Sequence, residues 1–148
     1  MKYMLISLLL LASCASQHVK VSEGFVRFEK EDSDIVLASP DNVLFVTKKL
    51  TGQHIEDNNN PGLWIKEIDL TLKSRGYAEQ LRKDISWGGG VGKMREYSVT
   101  FNSETYRYLI AVLSLENRLF LITAAGEDSA WDMRRESVID TCKSFSYR

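Results

Sequence analysis

The chain has 148 residues, 44% hydrophobic and 26% charged, and its 19 basic and 20 acidic side chains leave a formal charge of −1. That length suits one domain with a core of its own, and the near-neutral balance, without a basic stripe, argues against a nucleic-acid binder. Two histidines and two cysteines also fall short of the ligand sets that zinc sites use.

Residues 1–13 read as a leader. Met1-Lys2-Tyr3 is a short cationic start, and Met4 to Ala12 is apolar except for Ser7. A membrane-spanning helix needs roughly 20 apolar residues, so this run fits a cleaved signal peptide and not a permanent span. It closes on Leu11-Ala12-Ser13-Cys14, which resembles the lipobox of bacterial lipoproteins. The resemblance implies diacylglycerol on the Cys14 sulfur, cleavage before it and acylation of the new amine, so that palmitate-like chains hold the mature protein on a membrane. Several such chains hold durably where one does not, at about 0.8 kcal/mol per buried methylene. In enteric lipoproteins Asp after the cysteine causes retention in the inner membrane. Ala15 in that place implies passage to the outer membrane, facing the periplasm, in a host that has one. With Cys14 lipidated, Cys142 is the remaining thiol, expected as a small buried residue on a helix face.

Residues 14–22 read as a lipidated tether and 23–148 as one globular domain. Gly24 to Glu29 suits a first strand, Ile35 to Ala38 a short one, and Val43 to Thr47 another, with Ser39-Pro40-Asp41-Asn42 as a tight turn. Asn60 and Pro61 carry the chemistry of a helix start, Trp64, Ile65, Ile68 and Leu72 recur at helical spacing, and Gly76 suits the stop. The first helix is therefore predicted over 61–75. From Tyr77 the period changes to that of hairpins. Strands are predicted over 79–87, 93–101, 105–115 and 118–125, joined by Gly88-Gly89-Gly90-Val91-Gly92, Asn102-Ser103-Glu104 and Glu116-Asn117. Both faces of 108–113 and 119–122 are apolar, which calls for a sheet covered on both sides. After Gly126-Glu127-Asp128-Ser129, Trp131, Val138, Ile139 and Cys142 share one face of a closing amphipathic helix. Phe145-Ser146-Tyr147 would then end the chain as a short strand or pack on that helix.

This order of elements, with Arg75-Gly76-Tyr77 after the first helix and Arg118 to Gly126 before the last, resembles the PsbP/Mog/DcrB-like superfamily. The segment Ser137 to Phe145 carries the resemblance furthest. It implies an α+β fold, an antiparallel β-sheet flanked by helices in an α/β/α sandwich. The superfamily serves photosystem assembly, small-GTPase binding and envelope or secretion-adaptor roles without a shared set of catalytic residues, so no site is carried over.

The residues themselves offer little catalytic chemistry. Gly88-Gly89-Gly90-Val91-Gly92-Lys93 lacks the first glycine and the Ser or Thr of a phosphate-binding loop, with Trp87 and Met94 in those places, and reads as a hairpin loop. His18 in the tether and His54 in a polar loop have no partner at metal-ligand spacing. Glu31-Asp32 and Glu127-Asp128 read as a charged turn and a helix start. Trp64 and Trp131 are expected in the core, while Trp87, with Gly88, Gly89, Gly90 and Gly92, is expected to rim an exposed partner-binding site. The sequence thus points to a monomeric, lipid-anchored envelope protein that binds an envelope partner, without cofactor or metal. An enzyme with a cleft near Trp87 to Gly92 and an inhibitor or immunity lipoprotein that captures a toxin or lysozyme are the alternatives.

Overall fold

The computed structural model describes residues 15–28, 34–52 and 58–148. Cys14, the leader and His54 lie outside the described residues. Among the described residues nine strands and two helices follow in the order β1 (Gln17–His18), β2 (Val26–Phe28), β3 (Ile35–Ala38), β4 (Leu44–Leu50), α1 (Pro61–Ser74), β5 (Ala78–Trp87), β6 (Gly90–Phe101), β7 (Glu104–Leu115), β8 (Arg118–Glu127), α2 (Asp128–Lys143) and β9 (Ser146–Tyr147). Strands β2 to β8 form one antiparallel sheet ordered β2-β3-β4-β8-β7-β6-β5, with α1 on one face and α2 on the other. The expected α+β sandwich is the fold.

Local chemistry accounts for the joints. The Asn60 side chain accepts the Gly62 N–H at 2.9 Å and Pro61 opens α1, while Gly76, at φ +90°, closes it as Tyr77 N–H reaches back to the Leu72 carbonyl. The three long hairpins turn on Gly88-Gly89, Asn102-Ser103 and Glu116-Asn117, each with positive φ at both residues. That is the two-residue turn whose twist matches the flanking strands. The glycine-rich run is therefore shorter as a loop than its composition suggests. Gly90 and Gly92 belong to β6, where a Cβ would run into the Ser114 and Val112 carbonyls of β7.

The polar stretch expected as a tether joins the fold. Gln17 and His18 pair with Tyr147 and Ser146, and the buried Gln17 side chain accepts a hydrogen bond from Thr47 at 2.7 Å. A tether would leave that buried hydroxyl's donor unmet, at a cost of about 1–3 kcal/mol.

The two-sided apolar pattern of β7 and β8 feeds two cores. Leu109, Ala111, Leu113, Phe120 and Ile122 face α2 and pack with Phe45, Trp131, Val138, Cys142 and Phe145. Ile110, Val112 and Leu119 face α1 and pack with Ile65, Leu72 and Tyr97. Trp131 and Cys142 are buried as their helical spacing predicts.

Candidate functional site

Strand β5 is one edge of the sheet, so among the described residues a row of its backbone groups lacks a strand partner. Beyond a bulge at Glu79/Leu81, the period of two sends Leu81, Lys83, Ile85 and Trp87 toward the α2 face. Helix α2 presents Arg135, Ile139 and Lys143 at intervals of four, one stripe along its flank. Between the two lies a groove of about 510 Å³ lined by these seven residues together with Asp84, Ser86 and Gly88, and floored by Met94. Ile85, Trp87 and Met94 are buried, whereas Lys83 and Lys143 are exposed. The groove thus has an apolar floor and a basic rim.

Two of its charged members, Arg135 and Asp84, are held in ion pairs, whereas Lys83 and Lys143 stand exposed. The Arg135 guanidinium grips the buried Glu96 carboxylate, with Nη2 at 2.7 Å and Nε at 3.1 Å. The Glu96 contact raises the guanidinium above its usual range, and the bidentate pair ties α2 to β6. Lys93 lies 2.7 Å from Asp84 in an ion pair and is not free to cradle a phosphate.

A second polar group lies under the other helix. Tyr97, fully buried, donates to Asp69 at 2.6 Å; Lys73 bridges Asp69 and Glu79 at 2.8 and 2.9 Å, and Arg82 holds both Glu79 oxygens. Hydrogen bonds from Arg82, then from Lys73, pull the Glu79 carboxyl down to about 2. Burial opposes ionisation of Asp69, yet the bonds from Lys73 and Tyr97 still hold its carboxyl below the usual range. Tyr97 is pushed well above a normal phenol, first by burial and then by the Asp69 bond. Both carboxylates are held charged and the phenol neutral, an arrangement that fastens α1 to the sheet and leaves no group poised to exchange protons near neutral pH.

The sequence-predicted rim is rearranged. Trp87 is 7% exposed and belongs to the α2-side core, at the inner end of the groove, because its position in the β5 alternation turns it inward. Gly88 touches the groove, Gly89 is the open tip of the turn, and Gly90 and Gly92 are buried in the sheet. The expected cleft near Trp87 exists, but Lys83, Arg135, Ile139 and Lys143 form its wall. The four-residue stripe on α2 was a readable signal for three of them. His18 sits in β1, its ring nitrogen 3.0 Å from Ser16 Oγ. Cys142 is buried and its thiol pushed up to about 12 by that burial, so it stays protonated.

No protein-family model matches the sequence, and no curated protein does. Solved structures match in fold. LpqN, involved in cell envelope biogenesis of Mycobacterium tuberculosis, superposes with a TM-score of 0.59 at 13% identity, over 90% of this chain and 83% of its own. The cyanobacterial PsbP, CyanoP, of Synechocystis sp. PCC 6803 gives 0.56 at 12% identity over 88% and 91%. A Pseudomonas aeruginosa protein of unknown function, PA94, gives 0.54 at 11% over 79% and 94%. At such identities the likeness is one of fold: an antiparallel seven-stranded sheet with two helices, like that of PsbP and LpqN.

Proposed function

We propose that this chain is a lipid-anchored cell-envelope protein that acts by binding, as an adaptor or assembly module, and that the β5–α2 groove is its partner surface. The observation that carries this reading is the make-up of the groove: an apolar floor, a rim on which Lys83 and Lys143 stand exposed, and a sheet edge alongside. Interfaces use such a buried apolar centre within a charged ring. The fold likeness to LpqN supports the envelope, and the leader ending in Cys14 supports the anchor.

Crosslinking from intact envelopes tests the binding role, with a photoreactive residue at Lys83. A discrete adduct is expected, weakened at least tenfold by Ile139→Arg, which fills the groove with charge, and unchanged by Thr100→Arg at the far end of β6. An adduct pattern indifferent to Ile139→Arg would sink the assignment of the groove. Metabolic labelling with a fatty-acid analogue tests the anchor separately: the wild type should be tagged and Cys14→Ser should not.

A further inference from the structure

Ser16 and Arg148 exchange two backbone hydrogen bonds, of 2.8 and 3.0 Å, so the chain is fastened to β9 from its first described residues. The covalent reach from Ser16 back to position 14 is about 7 Å. An acyl group on Cys14 would therefore bring the surroundings of Ser16 and Arg148 against the membrane. Those surroundings are basic. Gln17 lies opposite Tyr147, and the Tyr147 ring has Lys49 Nζ 5.5 Å and Arg118 Cζ 5.1 Å from its centroid.

Lys49 and Arg118 also line a shallow cleft of about 310 Å³, with Leu50, Leu119 and Thr51 beside them. One carboxylate reaches it: Glu116 stands 3.7 Å from Arg118, whose guanidinium also donates to the Glu116 carbonyl at 3.2 Å. Lys49 donates to the Tyr147 hydroxyl at 3.5 Å, and among the described residues no carboxylate lies within ion-pair distance of it. At the opposite end of the sheet, Arg107 and Arg134 are held by Asp128 and Asp41 at 2.6 and 3.2 Å. Two cations thus share one ring beside a cleft with a single carboxylate, Glu116, between them, and they stand within a short reach of Ser16.

We propose that this end of the sandwich is a docking surface for anionic lipid headgroups, with Lys49 and Arg118 seating a phosphate in the cleft they line, so that the sheet stands end-on to the bilayer. The inference rests on the lipoprotein reading of Cys14 for its orientation. The part-exposed Leu50 gives the cleft an apolar side suited to the headgroup boundary. Each basic side chain near an anionic bilayer favours association about fivefold, an effect that salt screens.

The acylated full-length chain is reconstituted in phosphatidylcholine vesicles with or without phosphatidylglycerol, carrying a fluorophore at Thr51→Cys beside the cleft or at Thr100→Cys at the far end. Cys142 is buried and stays unlabelled. A headgroup-borne quencher should dim the Thr51 site severalfold more than the Thr100 site when phosphatidylglycerol is present. The difference should collapse without that lipid, in high salt, and in Lys49→Gln/Arg118→Gln, while Lys49→Arg retains it. A melting curve shows that the variants are folded. Equal quenching at both sites, or quenching at Thr51 that ignores lipid charge, overturns the proposal. Fatty-acid labelling of the same preparation isolates a failure of the anchor reading. The unacylated chain is then sedimented with the same vesicles: binding that needs phosphatidylglycerol and is lost in the double variant sustains the surface, and binding without that dependence overturns it.

Discussion

The two faces of the sheet are each covered by one helix, yet they are held by different physics. On the α2 face a cluster that includes Phe45, Phe120, Trp131 and Phe145 spans the width of the sheet, and the ion pairs of α2, Arg135–Glu96, Arg134–Asp41 and Asp128–Arg107, sit at its margins. On the α1 face the apolar cluster is smaller, and the chain Tyr97–Asp69–Lys73–Glu79–Arg82 fastens the helix. Helix α1 also covers only the β6–β7 half of its face. Val26 and Phe28 on β2 and Leu44 on β4, which share that face by register, stay exposed. Apolar burial is nearly indifferent to pH and supplies bulk stability. A polar network adds less but fixes where a helix sits.

The largest effect should come from the α2 face. Trp131→Ala is expected to cost on the order of 3–5 kcal/mol in chemical denaturation, since a large buried side chain leaves a cavity the helix cannot collapse into. A midpoint within error of wild type would remove Trp131 from the core and undo the contrast. The β5–β6 turn comes next, because Gly88 sits at φ +57° and a Cβ there would meet the Phe145 carbonyl at the end of α2. Gly88→Ala should lose on the order of 1–3 kcal/mol. Gly89→Ala, at φ +83° in open space, should lose only the left-handed penalty of about 1 kcal/mol. Equal losses would show that the approach to α2 does not matter.

On the α1 face, Tyr97→Phe removes one hydrogen bond while Asp69 keeps Lys73, so a loss of about 1–1.5 kcal/mol is expected from the same denaturation experiment. A loss as large as that of Trp131→Ala would mean that the two faces do not divide labour. The smallest effect is the pH dependence. The folded Glu79 carboxyl titrates near 2 against an ordinary 4.5, so its contribution is present above about pH 4.5 and is lost as pH falls toward 2; Asp69 shifts in the same direction. Wild-type stability should therefore fall across that window more than that of Glu79→Gln. The deficit of Trp131→Ala should stay constant through it. Partial exposure of the pair keeps the change modest.

Much of this architecture was legible before any coordinates. Helix α1 lies within one residue of its predicted span because Asn60, Pro61 and Gly76 each satisfy or forgo a backbone bond at a known place. The hairpins were legible for the same reason: their turn residues tolerate positive φ. The glycine run misled because composition marks a flexible segment but not its extent. Only the approach of the β7 carbonyls to Gly90 and Gly92 shows that those glycines serve strand packing. Trp87 misled in the same way, since its neighbours in sequence looked like a loop while its side chain follows the alternation of β5.

What the sequence by itself determined is what rests on short-range covalent and hydrogen-bonding chemistry: the helix ends, the turns, and two-sided burial of β7 and β8. The tertiary structure alone decided which strand became the free edge, that Gln17 and His18 close against β9, and that Lys49 and Arg118 meet over one aromatic ring. Those outcomes join residues tens of positions apart. A lysine on β4 and an arginine opening β8 carry no mark of each other in the chain, and only the pairing of their strands brings them together.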